Sequence, residues 1–323
     1  MDRSLTLIEM TDPSGQDVTD RMNGGEKLHR DPLLKATGIV AITVTHNPRL
    51  EDGRLAKQLA QLRNAGVFHI VVDNASRNVD SIRGLASSVG GSLGNLAVVA
   101  LPENSGIGTA INRGVKAILE KREVDWFLLL DQDTYFAEGA FELFLKEVAD
   151  VPDSSRIAIF GFNYVLHRFN RLRPHNNSNR PKVKGHMITS GSLVRAQVIK
   201  TIPVDEGLFL YFVDVDYAYR VRKQGWKICV ARHAFIDHME GLVTVSRTGR
   251  PRYFVPPERL FYMARNSLTV SQRYLTVRPL SIPPYQLLMN LAARAEPIRS
   301  ANFALKGIVA FIRGRREGPY SSA

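Results

Sequence analysis

The stretch Trp126-Phe-Leu-Leu-Leu-Asp-Gln-Asp-Thr134 joins a short apolar run to two carboxylates set one residue apart. The run from Phe127 to Leu130 has the length and abrupt ends of a fully buried parallel strand. Open α/β sheets bind ligands beyond the carboxyl ends of their strands, where Asp131 and Asp133 fall. Two such hard oxygen ligands suit Mg²⁺ or Mn²⁺ held against a diphosphate. Because Asp-x-Asp is also a common solvated turn, its meaning depends on the rest of the chain.

Three further predicted strands precede this stretch, and each ends in polar residues. They cover residues 38–45, 68–73 and 96–101. Strands that alternate with helices over short connections indicate a parallel sheet with right-handed crossovers. One edge of that sheet is therefore expected to collect Thr45, Asp73, Asn104 and Asp131, which together mark a site of nucleotide size.

Small residues lie at two predicted turns. Gly106 and Gly108 follow the third strand, but the third glycine of a dinucleotide-binding loop is missing, and so is the Gly-Lys-Ser/Thr of an ATPase phosphate loop. These glycines either let the backbone approach a sugar or phosphate, or only form a turn and a helix start. Thr189, Ser190 and Gly191 lie at a bend, where they either bind an acceptor sugar or satisfy the turn.

A second acidic pair, Asp214 and Asp216, follows an apolar and aromatic run and leads into a helix predicted over 215–224. An Asp at a helix start is usually a cap, but two carboxylates directly after residues that should be buried are hard to explain by capping alone. His238 lies at the exit of a later strand. Imidazole is a ligand for Mg²⁺ or Mn²⁺ sites that already hold carboxylates.

Composition indicates a globular protein with a sizeable core, since 44% of the 323 residues are apolar. The single cysteine, Cys229, excludes an internal disulfide framework and fits a reducing compartment. Neither a secretory signal nor an apolar run of membrane-spanning length is evident. The sequence therefore predicts a cytoplasmic protein with no segment that crosses a bilayer.

Positive charge is concentrated in the C-terminal part. The formal net charge is +12, and from Tyr217 onward about eighteen Lys and Arg face about five Asp and Glu, which calls for an anionic partner. A nucleic-acid-binding module is disfavoured because exposed aromatic platforms and known binding motifs are missing. Residues 285–312 have the spacing of one or two amphipathic helices, which either lie on an anionic membrane or pack on the protein or at a subunit interface. Arg247 to Arg252 are candidates to contact an acceptor diphosphate.

With these residues in this order, the chain resembles the inverting family 2 glycosyltransferases with the GT-A fold, from about residue 39 to 238 and more weakly over 259–274. It is most similar to bacterial rhamnosyltransferases, as four segments show: Val72-Asp-Asn-Ala-Ser76, Asn104-Ser-Gly-Ile-Gly-x-Ala-x-Asn112-x-Gly114, Leu129-Leu-Asp-Gln-Asp-Thr134 and Thr189-Ser-Gly-Ser-Leu193. The family often has Glu at the position of Asp216 and Ser at that of Thr134. The division of labour between Asp214 and Asp216 is therefore open.

The resemblance implies an α/β, GT-A nucleotide-diphospho-sugar transferase fold, with a mainly parallel sheet flanked by helices and a C-terminal helical extension. The expected organisation is a flexible N-terminal extension at 1–36, a catalytic domain at 37–245, and a basic amphipathic helical region at 246–323. Within the catalytic domain, 37–135 would form the nucleotide-binding half and 136–245 the acceptor half.

The resemblance also implies a role for each candidate residue. Donor-binding residues would be Thr45, Asn47, Asp73, Asn104, Gly108, Asn112 and Asp131. The metal, Mg²⁺ or Mn²⁺, would be held by Asp131, Asp133 and His238. Catalysis would rest on Asp214 as general base, with Asp216 as the alternative, and the acceptor would contact Thr189, Ser190 and Gly191.

The implied activity is inverting transfer of a sugar, L-rhamnose from dTDP-rhamnose, onto a hydroxyl of a lipid-linked or oligosaccharide acceptor in cell-wall or other cell-surface polysaccharide biosynthesis. Two alternatives stay open: transfer of another sugar, such as galactofuranose from a UDP-sugar, and noncatalytic sugar-nucleotide binding. The expected location is cytoplasmic, peripheral at the inner face of the cell membrane. A homo-oligomer is left open, and no nucleic-acid partner is expected.

Overall fold

A computed structural model of the chain describes residues 36–90, 95–168, 171–238, 242–245, 251–315 and 318. The predicted N-terminal extension lies outside these residues except for Ala36. The side chains from Arg247 to Arg252, expected to contact an acceptor diphosphate, also lie outside the described part.

The first half of the fold is a parallel sheet in the order β3-β2-β1-β4. Its strands are β1 (Ile39–Thr45), β2 (Phe68–Asp73), β3 (Leu96–Ala100) and β4 (Trp126–Asp131), connected by α1 (Arg54–Asn64), α2 (Val79–Gly90) and α3 (Ile107–Leu119). In the register, Thr45 lies beside Asp73, and Val44 beside Asp131. The polar carboxyl ends of β1, β2 and β4 are therefore level, as the sequence predicts for a ligand-binding edge.

The second half continues the sheet through strands of mixed direction. Its strands are β5 (Tyr135–Phe136), β6 (Ile157–Asn163), β9 (Lys182–Lys184), β10 (Ser192–Arg195) and β11 (Lys227–Asp237). The short strand β10 runs antiparallel to both β4 and β6, whereas β6 and β11 are parallel. It begins at Ser192, directly after the bend predicted at Thr189 to Gly191, where Gly191 has a φ of +77° and the Ser192 N–H closes a turn onto the Thr189 carbonyl.

Helices and two hairpins complete this half. The helices are α4 (Ala140–Ala149), α5 (Ala196–Thr201) and α6 (Val213–Lys223); the hairpins pair β7 (Val165–Arg168) with β8 (Arg171–Pro174), and β12 (Leu242–Val245) with β13 (Pro251–Phe254). Strand β4 lies in the interior, with Phe127 to Leu130 each at most 3% exposed. This burial on both faces is the reason that the run is continuously apolar.

Three helices close the fold at the C-terminal end: α7 (Pro257–Tyr274), α8 (Ile282–Ala292) and α9 (Pro297–Ile312). Val270 of α7 belongs to the main hydrophobic core, so this helix is part of the same packed body as the sheet. The stretch 285–312, where one or two amphipathic helices were expected, holds α9 and most of α8, and Pro297 is the first residue of α9, as proline's fixed φ favours. Within the described residues, none of the helices combines the length and apolarity needed to cross a membrane.

Candidate active site

The Asp131-x-Asp133 turn between β4 and β5 is held by side chains of α1. Buried Gln58 donates its amide protons to the carbonyl oxygens of Asp131, at 2.9 Å, and Thr134. Arg54 donates to the Asp133 carbonyl at 2.9 Å. These hydrogen bonds fix the main chain of the turn, so its shape does not depend on the two carboxylates.

Gln58 is itself oriented by a buried chain of hydrogen bonds. The Thr43 hydroxyl donates to Gln58 Oε1 at 2.6 Å, and His69 Nε2 lies 2.8 Å from the same hydroxyl oxygen. Because that hydroxyl already donates to Gln58, its oxygen accepts a hydrogen bond from the Nε2–H of His69, so the proton of the neutral ring lies on Nε2. Burial lowers the pKa of His69 to about 3, in agreement with this neutral form.

His238 reaches the two carboxylates because β5 pairs with the end of β11, where Tyr135 lies beside Asp237. Its Nδ1 lies 2.9 Å from Thr134 Oγ1 and 3.3 Å from Asp133 Oδ1, and its Nε2 lies 4.0 Å from Asp131 Oδ2. One ligand atom from each of Asp131, Asp133 and His238 falls within 4.8 Å of the others. The structure thus brings together the three residues predicted to hold a metal.

The electrostatics of this cluster fit a divalent cation. Asp133 Oδ1 is a buried atom that accepts no hydrogen bond, and such an atom is costly unless a partner satisfies it. Burial raises the pKa of Asp131 to about 6, opposed by His238 and reinforced by the neighbouring carboxylates of Asp133 and Asp214. Carboxylate oxygens with one imidazole are a donor set suited to Mg²⁺ or Mn²⁺. A cation there would contact Asp133 Oδ1 and would stabilise the charged form of Asp131.

The second acidic pair lies in the first turn of α6, and its two members differ in environment. Asp214 borders a small interior cavity of about 20 Å³, room for about one water molecule, whose lining is mostly buried apolar side chains such as Ile159 and Val194. The Asp214 carboxylate is close enough to Asp131 to raise that residue's pKa. Its Oδ1 accepts the Val215 N–H at 2.9 Å. Asp214 thus faces the side of the site where the candidate metal ligands lie.

Asp216 is fully buried and held by three donors from α6 and α7. Its oxygens accept hydrogen bonds from Arg220 Nε at 2.7 Å, from the Tyr274 hydroxyl at 2.7 Å, and from Arg273 Nη1. A carboxylate so engaged is poorly placed to take a proton from a substrate, since it would first have to give up these donors. The geometry therefore favours Asp214 over Asp216 as a base.

The loop before Asp214 is strained and pinned. Tyr211 and Phe212 have φ values of +64° and +62°, which bulky residues rarely adopt. The buried amide of Asn266, on α7, donates to the carbonyl oxygens of Leu210 and Tyr211 at 2.8 and 3.1 Å. Helix α7 therefore fixes the turn that leads into Asp214.

Four of the predicted donor-binding residues meet at the carboxyl ends of β1, β2 and β3. Thr45 Oγ1 donates to buried Asp73 at 3.0 Å, and Asp73 accepts the Ser76 N–H at 2.9 Å. The Asn47 side chain accepts the Arg77 N–H at 2.9 Å. Asn104 Oδ1 accepts hydrogen bonds from Asn74 Nδ2 at 2.8 Å and from Gly106 N at 3.2 Å. These bonds order the loops at that edge of the sheet.

Gly106, Gly108 and Asn112 contact the protein's own 203–209 segment. A Cβ at Gly106 would lie 2.7 Å from the Phe209 carbonyl oxygen, and one at Gly108 would lie 2.8 Å from that of Asp205. The Asn112 side chain donates to Val204 O and Glu206 Oε1, both at 2.9 Å, and accepts the Val204 N–H at 3.1 Å. Gly106 and Gly108 therefore let the backbone come close to residues 203–209, and Asn112 fixes that segment by hydrogen bonds.

Of the residues expected at the acceptor, only Thr189 lines the cavity beside Asp214. Ser190 is buried, donates to Thr134 Oγ1 at 2.8 Å and accepts the Asp131 N–H at 2.9 Å, so it supports the Asp131-x-Asp133 turn. Gly191 supplies the positive φ that ends the turn before β10. Ser190 and Gly191 therefore shape the site through the backbone.

Gln58, Arg54 and Asn266 were not identified from the sequence. Gln58 shares the buried face of α1 with Leu55 and Leu62, and a glutamine on an apolar stripe is a signal that could have been read as a buried polar anchor. Arg54 and Asn266 gave no comparable signal, because their partners at Asp133 and Tyr211 lie 79 and 55 residues away.

The sheet order and the acidic turn at the end of β4 define a GT-A type of glycosyltransferase fold. A solved structure of similar fold is the mannosyltransferase PcManGT from Pyrobaculum calidifontis with GDP-Man and Mn²⁺, at 11% identity and a TM-score of 0.52, covering 88% of this chain and 90% of that one. A second is GalNAc-T7 with UDP, GalNAc and Mn²⁺, at 11% identity and a TM-score of 0.50. That match covers 65% of this chain but only 44% of GalNAc-T7.

Sequence comparison identifies the family. Residues 41–202, half of the chain, match the model of glycosyl transferase family 2, and the chain belongs to that family. No curated protein matches it in sequence. The resemblance to family 2 and the GT-A fold expected from the sequence are thereby confirmed, together with a mixed α/β sheet and C-terminal helices.

Proposed function

We propose that this protein is an inverting glycosyltransferase that moves L-rhamnose from dTDP-rhamnose onto a hydroxyl of a lipid-linked glycan in cell-surface polysaccharide biosynthesis. The observation that carries the catalytic part is the position of Asp214, whose carboxylate lies close enough to the cluster of Asp131, Asp133 and His238 to raise the pKa of Asp131. A base on one side of a leaving-group site is the arrangement that a single displacement requires.

In this proposal, Asp131, Asp133 and His238 hold Mg²⁺ or Mn²⁺. The cation would act as a Lewis acid that neutralises the charge developing on the nucleotide diphosphate. The two solved GT-A structures above are described with Mn²⁺, one with GDP-Man and the other with UDP. Support from this chain is the buried Asp133 Oδ1, which accepts no hydrogen bond although His238 Nδ1 lies 3.3 Å away, and which a cation would contact.

The donor nucleotide lies, in this proposal, at the ends of β1 and β2. Thr45, Asn47, Asp73 and Asn104 converge there and order the loops that would enclose a base and ribose. Gly108 and Asn112 contribute indirectly, since both contact the 203–206 segment. Asp131 stands where the nucleotide edge and the metal ligands meet, because Val44 lies beside it in the β1–β4 register.

Asp214 takes the proton from the acceptor hydroxyl as that oxygen attacks the anomeric carbon from the face opposite the diphosphate. The bond to the acceptor oxygen forms as the bond to the diphosphate breaks, so the anomeric configuration inverts. Thr189 would supply a hydroxyl that hydrogen-bonds the acceptor. Asp216 keeps α6 fixed against α7 while this happens.

The sugar assignment rests on the four sequence segments that resemble rhamnosyltransferases, of which the one with Asp131-Gln-Asp133 is the most specific. A donor screen tests it: thermal shift and donor hydrolysis with dTDP-rhamnose, UDP-galactofuranose, UDP-glucose and GDP-mannose, each with Mn²⁺, Mg²⁺ or EDTA. We expect metal-dependent stabilisation and slow hydrolysis with dTDP-rhamnose above the others.

The other outcomes of the screen are equally informative. A preference for UDP-galactofuranose would keep the mechanism and replace the sugar. Binding of a donor without hydrolysis, even with an acceptor glycan present, would identify a noncatalytic sugar-nucleotide-binding protein. The matched control is Asp80→Asn, which removes an exposed carboxylate paired only with Arg83 in the same helix turn and should respond like the wild type.

A further inference from the structure

Helix α9 is apolar on two opposite sides. One side carries Ser300, Phe303, Gly307 and Ala310, which are all buried. Phe303 and Ala310 cluster with Phe261 of α7, and Gly307 lies so close to the Phe261 carbonyl that a side chain there would clash. This buried side accounts for the packing of α9 on the protein, so the residues on its other side need a separate explanation.

The opposite side is an apolar stripe exposed to solvent. Ile298, Leu305, Ile308, Val309 and Ile312 recur at spacings that place them along one side of the helix. Ile298 is 85% exposed and Ile312 is 74% exposed. We call these five residues the α9 stripe. An apolar row of this length on a surface marks an interaction site, because single exposed hydrophobics are normal but contiguous ones are not.

Exposed apolar residues are concentrated near this stripe. In the described part of the chain, every exposed large hydrophobic residue except Leu143 and Val183 lies between residues 275 and 312. Those outside α9 are on α8 and the segment before it, and they include Leu275 at 94% exposure and Leu288 at 59%. The C-terminal helices therefore present the protein's main uncovered apolar surface.

The charges beside the stripe are positive. Lys306 and Arg313 are exposed and lie seven residues apart, which places them on the same flank of the helix. Between residues 297 and 315 there are four basic residues and no Asp or Glu. The only nearby carboxylates described in contact with this segment are Glu258 and Glu296, and both pair with Arg299. The flank facing solvent beside the α9 stripe is thus left with a net positive charge.

We propose that the α9 stripe docks on an anionic lipid bilayer, with α9 lying in the interface. Ile298, Leu305 and Ile312 would enter the boundary between headgroups and acyl chains, while Lys306 and Arg313 remain at the level of the lipid phosphates. Helices that bind in this way have one apolar side with basic residues beside it, and they are too short and too polar to span the membrane. A second copy of the chain is a poorer occupant, since it would bring the same basic flank against the first.

Vesicle flotation of the full-length protein tests the proposal. We expect it to float with phosphatidylglycerol-containing vesicles at low salt, to float less at high salt, and to stay unbound with phosphatidylcholine vesicles alone. Leu305→Gln with Ile312→Gln should reduce partitioning at least about tenfold. Lys306→Gln with Arg313→Gln should reduce it about fivefold for each charge removed.

Val183→Gln is the matched control, because Val183 is 54% exposed but lies on β9, outside the C-terminal helices. It should float like the wild type. Donor hydrolysis in solution, which requires no vesicle, reports whether each variant keeps its fold.

Three results would overturn the proposal. They are absence of flotation at low salt, equal flotation with neutral vesicles, and unchanged flotation of both double variants. Sedimentation analysis tests the alternative occupant, a second copy of the chain. If the protein binds no vesicles but forms a dimer, and if Leu305→Gln with Ile312→Gln dissociates that dimer, the α9 stripe is an interface between two copies.

Discussion

Asp214 and Asp216 show how two carboxylates in one helical turn acquire different chemistry. Residues two positions apart on a helix do not share a face, so Asp214 meets the cavity while Asp216 is buried against α7. Arg273 supplies the charge that makes the burial of Asp216 tolerable, and the same arginine also pairs with Asp205 at 2.7 Å. One carboxylate is thus assigned to the site and the other to its support.

Replacing Asp214 with Asn should lower the rate of sugar transfer by about 10²- to 10⁴-fold, the usual contribution of a general base. The amide keeps the size and the capping contact of the carboxylate but cannot take a proton. Calorimetry should find donor and metal affinity close to those of the wild type. Transfer at near-normal rate by the variant would remove Asp214 from the mechanism.

Asp216→Asn should act mainly on stability. The substitution leaves Arg220 without this charge partner and Arg273 with Asp205 alone, and because both arginines are partly exposed the cost should be about 1–3 kcal/mol. Urea unfolding measures this cost. If the variant instead kept its stability and lost transfer activity, Asp216 would be the base and the geometric preference for Asp214 would be wrong.

Asp133→Asn tests the metal ligands directly. We expect Mn²⁺ affinity measured by calorimetry to fall by at least about 100-fold, more than the loss typical of a residue that merely orients a ligand. Thermal stability in EDTA should not fall, because the substitution removes a carboxylate that faces Asp131 across a short gap. A large loss of stability in EDTA would mean that Asp133 serves the fold.

At the scale of elements, the carboxylate turn depends on α1. The buried side-chain amide of Gln58, on α1, hydrogen-bonds Thr43 on β1 and the carbonyls of Asp131 and Thr134 in the turn. One side chain thus connects the helix, the strand and the turn. We expect Gln58→Leu to cost about 1–3 kcal/mol, since it strands buried partners, and also to weaken Mn²⁺ binding because the turn is released.

The control for that variant lies one turn further along the same helix. Gln61 donates to the Phe136 carbonyl and accepts the Phe136 N–H, so Gln61→Leu removes comparable bonds from β5 without touching the carbonyls of the Asp131-x-Asp133 turn. Urea unfolding and Mn²⁺ titration of both variants separate support of the turn from general stability. Equal losses of Mn²⁺ affinity would deny Gln58 a specific role.

Local patterns predicted most of the elements that form this site. The apolar run of β4 and the polar ends of β1 and β2 could be predicted because the burial and the ends of a strand depend on residues that are adjacent in the sequence. The three candidate metal ligands were identified because carboxylates and an imidazole at strand exits are residue types that bind Mg²⁺ or Mn²⁺. The tested part of those predictions is the fold and the family, and both are confirmed.

The residue roles that could not be predicted from the sequence depend on contacts between segments far apart in the chain. Asn112 and Ser190 have the residue types of ligand-binding groups, but Asn112 bonds Val204 and Ser190 bonds Thr134, 92 and 56 residues away. The same holds for Asn266, whose partners lie on another element. Residue type alone cannot distinguish a polar side chain that binds substrate from one that satisfies a buried backbone.

For the whole molecule, buried His69 predicts a dependence of stability on pH. Its pKa is about 3 in the folded protein and about 6.5 in an unfolded chain. The unfolded state therefore binds the extra proton first as pH falls, and stability is lost from about pH 6.5 downward until about pH 3. At pH 5 the loss from this group alone is roughly 2 kcal/mol relative to pH 7.

Urea unfolding of the wild type and His69→Gln at pH 5 and pH 7 checks this dependence. The neutral glutamine should lower stability at pH 7 through imperfect replacement of the bond to Thr43, but the difference between the two pH values should shrink by about the amount assigned to His69. An unchanged difference would show that His69 is not the group responsible.

The pinning of the 205–216 segment by α7 has a consequence for biosynthesis. Asn266 bonds Leu210 across 56 residues, and Arg273 bonds Asp216 across 57. A nascent chain emerges with its N-terminal part first, so β1 to β4 leave the ribosome well before α7 is made. Translation thus delivers the proposed nucleotide-binding edge early and the fixed Asp214 turn late, and a chain released before Tyr274 carries the first without the second.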